Sequence, residues 1–305
     1  MIQSLFKRSG QLVHIVFSEN AIRMVELRSL EPLDIKQVQF YELPDGIIER
    51  GRVEDAETLE TILEQCVRDW KIKNKKVQFT VPDPFVIVRQ LELKENLSDQ
   101  EIHGYLYMEL GNRIQIPFED PVFDFVKLPG DEKKEIVIFA SPVDIVSSYR
   151  DLLDKVHLEP LTADITPLAL YRYYDHTGTL DQKDHLMFIH MESHQLTISV
   201  FHDGFPLFMR PIALEETTEF EELYSEIEKI MRFYRYSVLQ DDGEISSIYL
   251  SGDHAEIQDF HDGLNAETTV RVEKPSKTRE FERLLDHDIR GFEVAIGLSL
   301  KEGIR

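Results

Sequence analysis

Two stretches of this chain, starting at Leu12 and again at Leu186, run through the same order of elements: a short apolar strand, a polar turn, a returning strand, a third strand and then an amphipathic helix. In the first, Leu12 to Phe17 and Ala21 to Arg28 flank Ser18-Glu19-Asn20, the pattern of a β-hairpin. Ile35 to Leu43 reads as the third strand, ended by Pro44-Asp45-Gly46. The helix carries Ala56, Leu59, Leu63, Cys66 and Trp70 at three- and four-residue spacing, with Asp55 placed to cap its free N–H groups. In the second stretch, Leu186 to Ile189, Leu196 to Phe201 and Phe205 to Arg210 precede a helix with Phe220, Leu223, Ile227, Ile230 or Met231, and Tyr234 on one side. Meanders feeding helices twice over predict a duplicated α/β architecture. The polar stretch Gly178 to Asp184 divides the halves.

The first half also holds extra material. After strands over Val77 to Val81 and Phe85 to Leu91, Ser98-Asp99-Gln100-Glu101 forms a capping box that opens a helix to about Ile114. Strands over Phe123 to Leu128 and Ile136 to Ser141 follow, then a helix over Val143 to Val156 that turns Val143, Val146, Tyr149 and Leu153 inward. The second half ends with a strand at Ser247 to Ser251, a helix near Ala255 to Leu264 and a closing helix through Ala295-Ile296-Gly297-Leu298.

Charge narrows the function. The 305 residues include 34 Lys and Arg against 57 Asp and Glu, a formal charge of −23. Such a surface repels phosphate backbones and anionic lipid, so nucleic-acid binding and membrane adsorption are not expected. No apolar run approaches the roughly 18 residues of a membrane span. Met1-Ile2, Leu5-Phe6 and Lys7-Arg8 read as a tail too short to hold a membrane. Cys66 stands alone, which fits a reducing compartment, and the expected location is cytoplasmic. The run Glu215, Glu216, Glu219, Glu221, Glu222 reads as the solvated, dipole-favoured start of the long helix.

The segment Leu12-Val13-His14-Ile15-Val16-Phe17-Ser18-Glu19-Asn20-Ala21-Ile22-Arg23-Met24-Val25-Glu26-Leu27 resembles, without a gap, the opening of the PilM family of type IV pilus assembly proteins, L-L-G-I-D-I-G-S-S-S-V-K-V-V-E-L. Leu43-Pro44 with Gly46 and Gly51, Val88-Arg89-Gln90-Leu91, Asp164 to Arg172, Glu192-Ser193 and Ala295-Ile296-Gly297-Leu298 are similar to further family motifs in the same order. The resemblance implies an actin-like ATPase fold, ribonuclease H-like and duplicated, related to the cell-division protein FtsA. It implies a strand-helix-strand-strand subdomain inserted in the first half. The expected division is 1–83 plus 158–182, an inserted 84–157, and 183–305.

Such ATPases grip phosphates with two glycine-containing hairpins, each with an Asp that organises Mg²⁺. On this resemblance the first hairpin's Asp and Gly positions are Val16 and Ser18, and the second's are Phe188 and His190. The nucleoside loop, S-G-G-G-A in the family, reads Ser251-Gly252-Asp253-His254-Ala255. Neither Val nor Phe can position a metal ion, and Asp253 would face an anionic ligand. The expectation is a pseudo-ATPase without cofactor or catalytic residue.

His14, His190, His194 and His254 gather near the expected cleft and read as turn residues filling it rather than as a metal site. Ser193 beside His194, and Ser251 near His254, lack the G-x-S-x-G elbow of a nucleophile. The resemblance further implies a cytoplasmic scaffold, at the inner face of the membrane through a partner. That partner is a PilN-like membrane protein, whose N-terminal tail would lie between the subdomains near Arg89, Asp164 and Arg172. Contacts with pilus ATPase machinery and weak homo-oligomerisation are compatible with this reading. An ATP-binding, filament-forming protein of the PilM or FtsA kind is the alternative.

Overall fold

The computed structural model describes residues 12–93, 95, 97–129, 134–180, 185–238, 244–274 and 291–301. The chain runs through β1 (Leu12–Phe17), β2 (Ala21–Ser29), β3 (Asp34–Glu42), a short pair β4 (Ile48–Glu49) and β5 (Arg52–Val53), α1 (Ala56–Asp69) and β6 (Lys76–Thr80). Next come β7 (Ile87–Glu92), α2 (Asp99–Glu109), β8 (Pro121–Lys127), β9 (Glu135–Pro142), α3 (Val143–Lys155), β10 (Glu159–Asp164) and α4 (Thr166–His176). The second half holds β11 (Leu186–Met191), β12 (Gln195–His202), β13 (Phe205–Ala213), α5 (Phe220–Phe233), β14 (Ser247–Gly252), α6 (Ile257–Glu267), β15 (Arg271–Glu273) and α7 (Glu293–Ser299).

Two five-stranded sheets share one topology. The first is ordered β10-β6-β1-β2-β3 and the second β13-β12-β11-β14-β15. In each, the opening strand pairs antiparallel with the next and parallel with a later strand. Each opening strand therefore lies at the centre of its sheet. Parallel neighbours require crossover helices, which is why helices intervene where the sequence places them. A separate three-stranded sheet, β7-β9-β8, carries α2 on its own small core of Ile102, Leu106, Ile136 and Ile138.

Three features depart from the sequence expectation. α2 stops at Glu109 rather than near Ile114, because Gly111 takes a positive φ and the Asn112 side-chain amide donates to the Met108 carbonyl at 2.7 Å. α3 buries Ile145, Tyr149, Leu152 and Leu153, while Val143, at the helix start, is exposed. That stripe joins the core of the first sheet, although α3 falls in the 84–157 range. β10 carries Pro160 at a bulge, tolerable on an edge strand, and its mostly half-exposed residues give no strand signal.

The halves are not merely adjacent. Val16, Val25, Leu27 and Ile35 of the first sheet share one buried cluster with Phe188, Phe201 and Tyr249 of the second. α4 and α7 complete that cluster through Leu170, Tyr174, Val294 and Ile296.

Candidate functional site

At the mouth of the groove between the halves, three loops meet: the β1–β2 turn, the β11–β12 turn and the end of β14. Asn20 joins all three, donating to Ser193 Oγ at 3.1 Å and to Asp253 Oδ2 at 3.2 Å. Arg23, on β2, makes an ion pair with Asp253, and its other terminal nitrogen donates to Ser18 Oγ at 3.0 Å. Both side chains of the pair are largely buried, at 3% and 11% exposure. Gly252, just before Asp253, holds φ +123°, and a Cβ there would stand 2.0 Å from the Met191 carbonyl oxygen. That glycine therefore has a packing reason independent of any ligand.

Val16 and Phe188 lie inside the core shared by the halves. Val16 is 5% exposed and Phe188 fully buried, the latter's ring packed among Tyr174, Phe201 and Tyr249. His190 is buried with its Nδ1 3.0 Å from Ser251 Oγ, so Ser251 pairs with His190 rather than with His254. His14 donates from Nδ1 to the Val25 carbonyl, and burial pushes it down to about 4. Burial also lowers His254, while His194 is exposed. Among the described residues no three His, Cys, Asp or Glu side chains gather as metal ligands would.

Beside these loops lies a cavity of about 40 Å³, room for about three water molecules. It is lined by Ser18, Glu19, Asp83, Thr166, His190 and Glu192, among others. Burial pushes the Asp83 carboxyl up to about 6, and pushes the nearby buried Glu293 up to about 7. Burial works against a charged His190, but Glu192, 3.8 Å from its Nε2, together with Glu293 and Asp83, carries it above the ordinary histidine value.

The other sequence candidates lie elsewhere. Asp164 and Arg172 come together in an ion pair of 2.5 Å, where Arg172 Nε also donates to the Gly297 carbonyl and Lys301 reaches Asp164 at 3.2 Å. Arg89 is separate, on β7, donating to the Gln115 carbonyl at 2.7 Å. Sequence reasoning passed over Arg23, Asn20, Asp83 and Glu293. Arg23 carried a usable signal: a lone cation in the apolar run from Ala21 to Leu27, which can be buried only beside a countercharge.

The sequence pattern of the type IV pilus assembly protein PilM family matches residues 15–215, about two thirds of the chain. The chain belongs to the PilM family. Among solved structures it resembles the PilM–PilN type IV pilus biogenesis complex, with a TM-score of 0.81 at 16% identity over 95% of this chain and 98% of that one. It also resembles a Bacteroides thetaiotaomicron protein with an actin-like ATPase fold, with a TM-score of 0.52 at 10% identity over 93% of this chain and 100% of that one. The cytoplasmic domain of EpsL, an inner-membrane component of the Vibrio cholerae type II secretion system, matches with a TM-score of 0.51 at 10% identity over 96% of each chain. The fold of this PilM-family chain is thus the actin-like ATPase fold. No helix among its described residues is long and apolar enough to cross a membrane.

Proposed function

We propose that this PilM-family protein is a non-catalytic scaffold of a type IV pilus-like assembly machine, working at the inner face of the membrane without a nucleotide. The observation that carries the reading is the fate of the two metal-organising positions. Val16 and Phe188 are core residues of one apolar cluster that joins the halves. An Asp in place of fully buried Phe188 would put an unpaired carboxylate in that core, at a cost of several kcal/mol. Where the loops would meet a nucleotide, Arg23 and Asp253 meet each other instead.

A scaffold needs a partner, and the resemblance to a PilM–PilN complex supports a PilN-like one. In this reading it is a membrane protein, and the part that binds is its cytoplasmic N-terminal tail. A basic tail would be drawn to a chain of charge −23. In this reading 1–83 with 158–182 form the first actin-like unit, 84–157 the insertion and 183–305 the second unit. The tail lies between the first unit and the insertion. Arg89, exposed on β7, is the residue placed to touch it. Asp164 and Arg172 support the groove from behind as an internal ion pair.

Calorimetric titration tests both parts. Mg-ATP should release no binding heat, and a synthetic tail of the neighbouring membrane protein should bind. In folded Arg89→Glu the tail should bind at least several-fold more weakly. Micromolar Mg-ATP binding would overturn the pseudo-ATPase reading, and unchanged tail affinity would remove Arg89 from the groove.

A further inference from the structure

A cleft that once gripped phosphate should present N–H donors and cations to its ligand. The cavity beside the β1–β2 turn presents the opposite. Its lining sets the carboxylates of Glu19, Asp83 and Glu192 against the imidazoles of His190 and His194, with no lysine or arginine among the described residues. Asp83 is 95% buried; the Thr197 and Thr166 hydroxyls donate to its carboxyl, and its Oδ1 is left without a hydrogen-bond partner. A buried, unpartnered carboxylate oxygen is costly and calls for a donor. Resting on the reading that the nucleotide has been given up, we propose that this cavity receives a primary ammonium group, carried by a small amine or by a lysine side chain.

An ammonium head is a compact point charge with three N–H donors and no acceptor. In this cavity it would meet one carboxylate at Asp83 and the hydroxyl oxygens of Ser18, Thr80, Thr166 and Ser193, all of which line the space. Glu192 is already engaged with His190, which Asp83 also faces, and the half-buried Glu19 faces His194, so an ammonium would match the carboxylate charge that these imidazoles leave over. The volume of about 40 Å³, room for about three water molecules, suits a head of that size with its first methylenes. A divalent metal is the poorer occupant, because no ligand set of three gathers among the described residues. The Asp83 carboxyl, held at about 6 by burial, is mostly ionised above neutral pH and gains a counterion when the site is filled.

Thermal unfolding of the full chain at pH 8 and constant ionic strength tests the site. Methylammonium chloride and Nα-acetyl-lysine amide should each raise Tm saturably by about 2–4 °C over potassium chloride, and pyrophosphate should not. A larger rise with the lysine derivative assigns the site to a side chain of a partner; an equal rise assigns it to a free amine. Asp83→Asn should abolish the effect and Glu19→Gln should weaken it. No rise beyond potassium chloride, or a rise that survives in both variants, would overturn the proposal and leave a water-filled gap. Mg-ATP serves as a separate arm: a rise there overturns the pseudo-ATPase reading, whereas its absence alongside a silent ammonium overturns this inference alone.

Discussion

Arg23 lies in a strand buried at every residue from Ala21 to Leu27, and its guanidinium is held there by Asp253 from the other half of the chain. Removing one member of such a pair strands the other charge away from water, which costs about 3–5 kcal/mol. Urea unfolding of Asp253→Asn and of Arg23→Met should therefore each show losses of that order. The double variant Arg23→Met/Asp253→Leu should regain most of it, because the pair is then replaced by apolar packing. Strictly additive losses would show that the pair does not couple the halves. Glu293 makes a second case, with the sign set by burial. Its carboxyl is raised from the ordinary range to about 7, so the folded chain prefers it protonated. The stability it contributes is full below its unfolded value near 4.5 and is lost as pH rises through 7. Glu293→Gln should be more stable than the parent at pH 8, by about 3 kcal/mol at most, and about equal to it at pH 4.5. A variant less stable at pH 8 would mean that the charged form of Glu293 is the one the fold uses.

α4 and α7 cross in the shared core so closely that a Cβ on Gly297 would stand 1.8 Å from the Ala169 carbonyl oxygen. Backbone cannot yield there as a flexible side chain would, so Gly297→Ala should cost about 3 kcal/mol in urea unfolding. Gly104, in the exposed middle of α2, has nothing within 4 Å of its would-be Cβ. Gly104→Ala should instead stabilise by about 0.5–1 kcal/mol, through helix propensity alone. Equal effects at the two positions would sink the packing argument. Both glycines sit in segments whose helical nature the sequence shows, yet nothing local tells them apart. The same limit runs through the fold. The two hairpins and α1 were readable because period-two and period-3.6 patterns are local. β10 and β15 were not, since one carries Pro160 and the other is three residues long. In the candidate site, motif order points to Val16 on β1, Phe188 and His190 on β11, and only Ser18 in a turn. The Arg23–Asp253 pair could not be found that way, because 230 residues separate its members and only the duplicated topology brings them together.

At the scale of the whole molecule, the distribution of buried apolar residues decides how it comes apart. The cluster that includes Val25, Phe188, Tyr174 and Ile296 draws on both sheets and both central helices, so neither half can leave without exposing it. Arg23–Asp253, Asn20–Ser193 and the exposed pair Arg50–Glu215 add polar ties across the same boundary. The three-stranded sheet with α2 differs: its own core has seven buried residues among those described, against 26 in the core of the first sheet with α1 and α3. A core that small holds its elements by less than the global stability, and such units open first. Scanning calorimetry should accordingly give one cooperative transition for the two actin-like halves together, with calorimetric and van't Hoff enthalpies in agreement. Native-state hydrogen exchange should show α2 and β8 opening at a free energy well below that of β1, β11, α4 and α7, which should share one value. Two resolved transitions assignable to the two halves would refute the shared core as the element that fixes their relation. Protection of α2 equal to that of β11 would show instead that the packing of β7 against β13 binds the three-stranded sheet into the same unit.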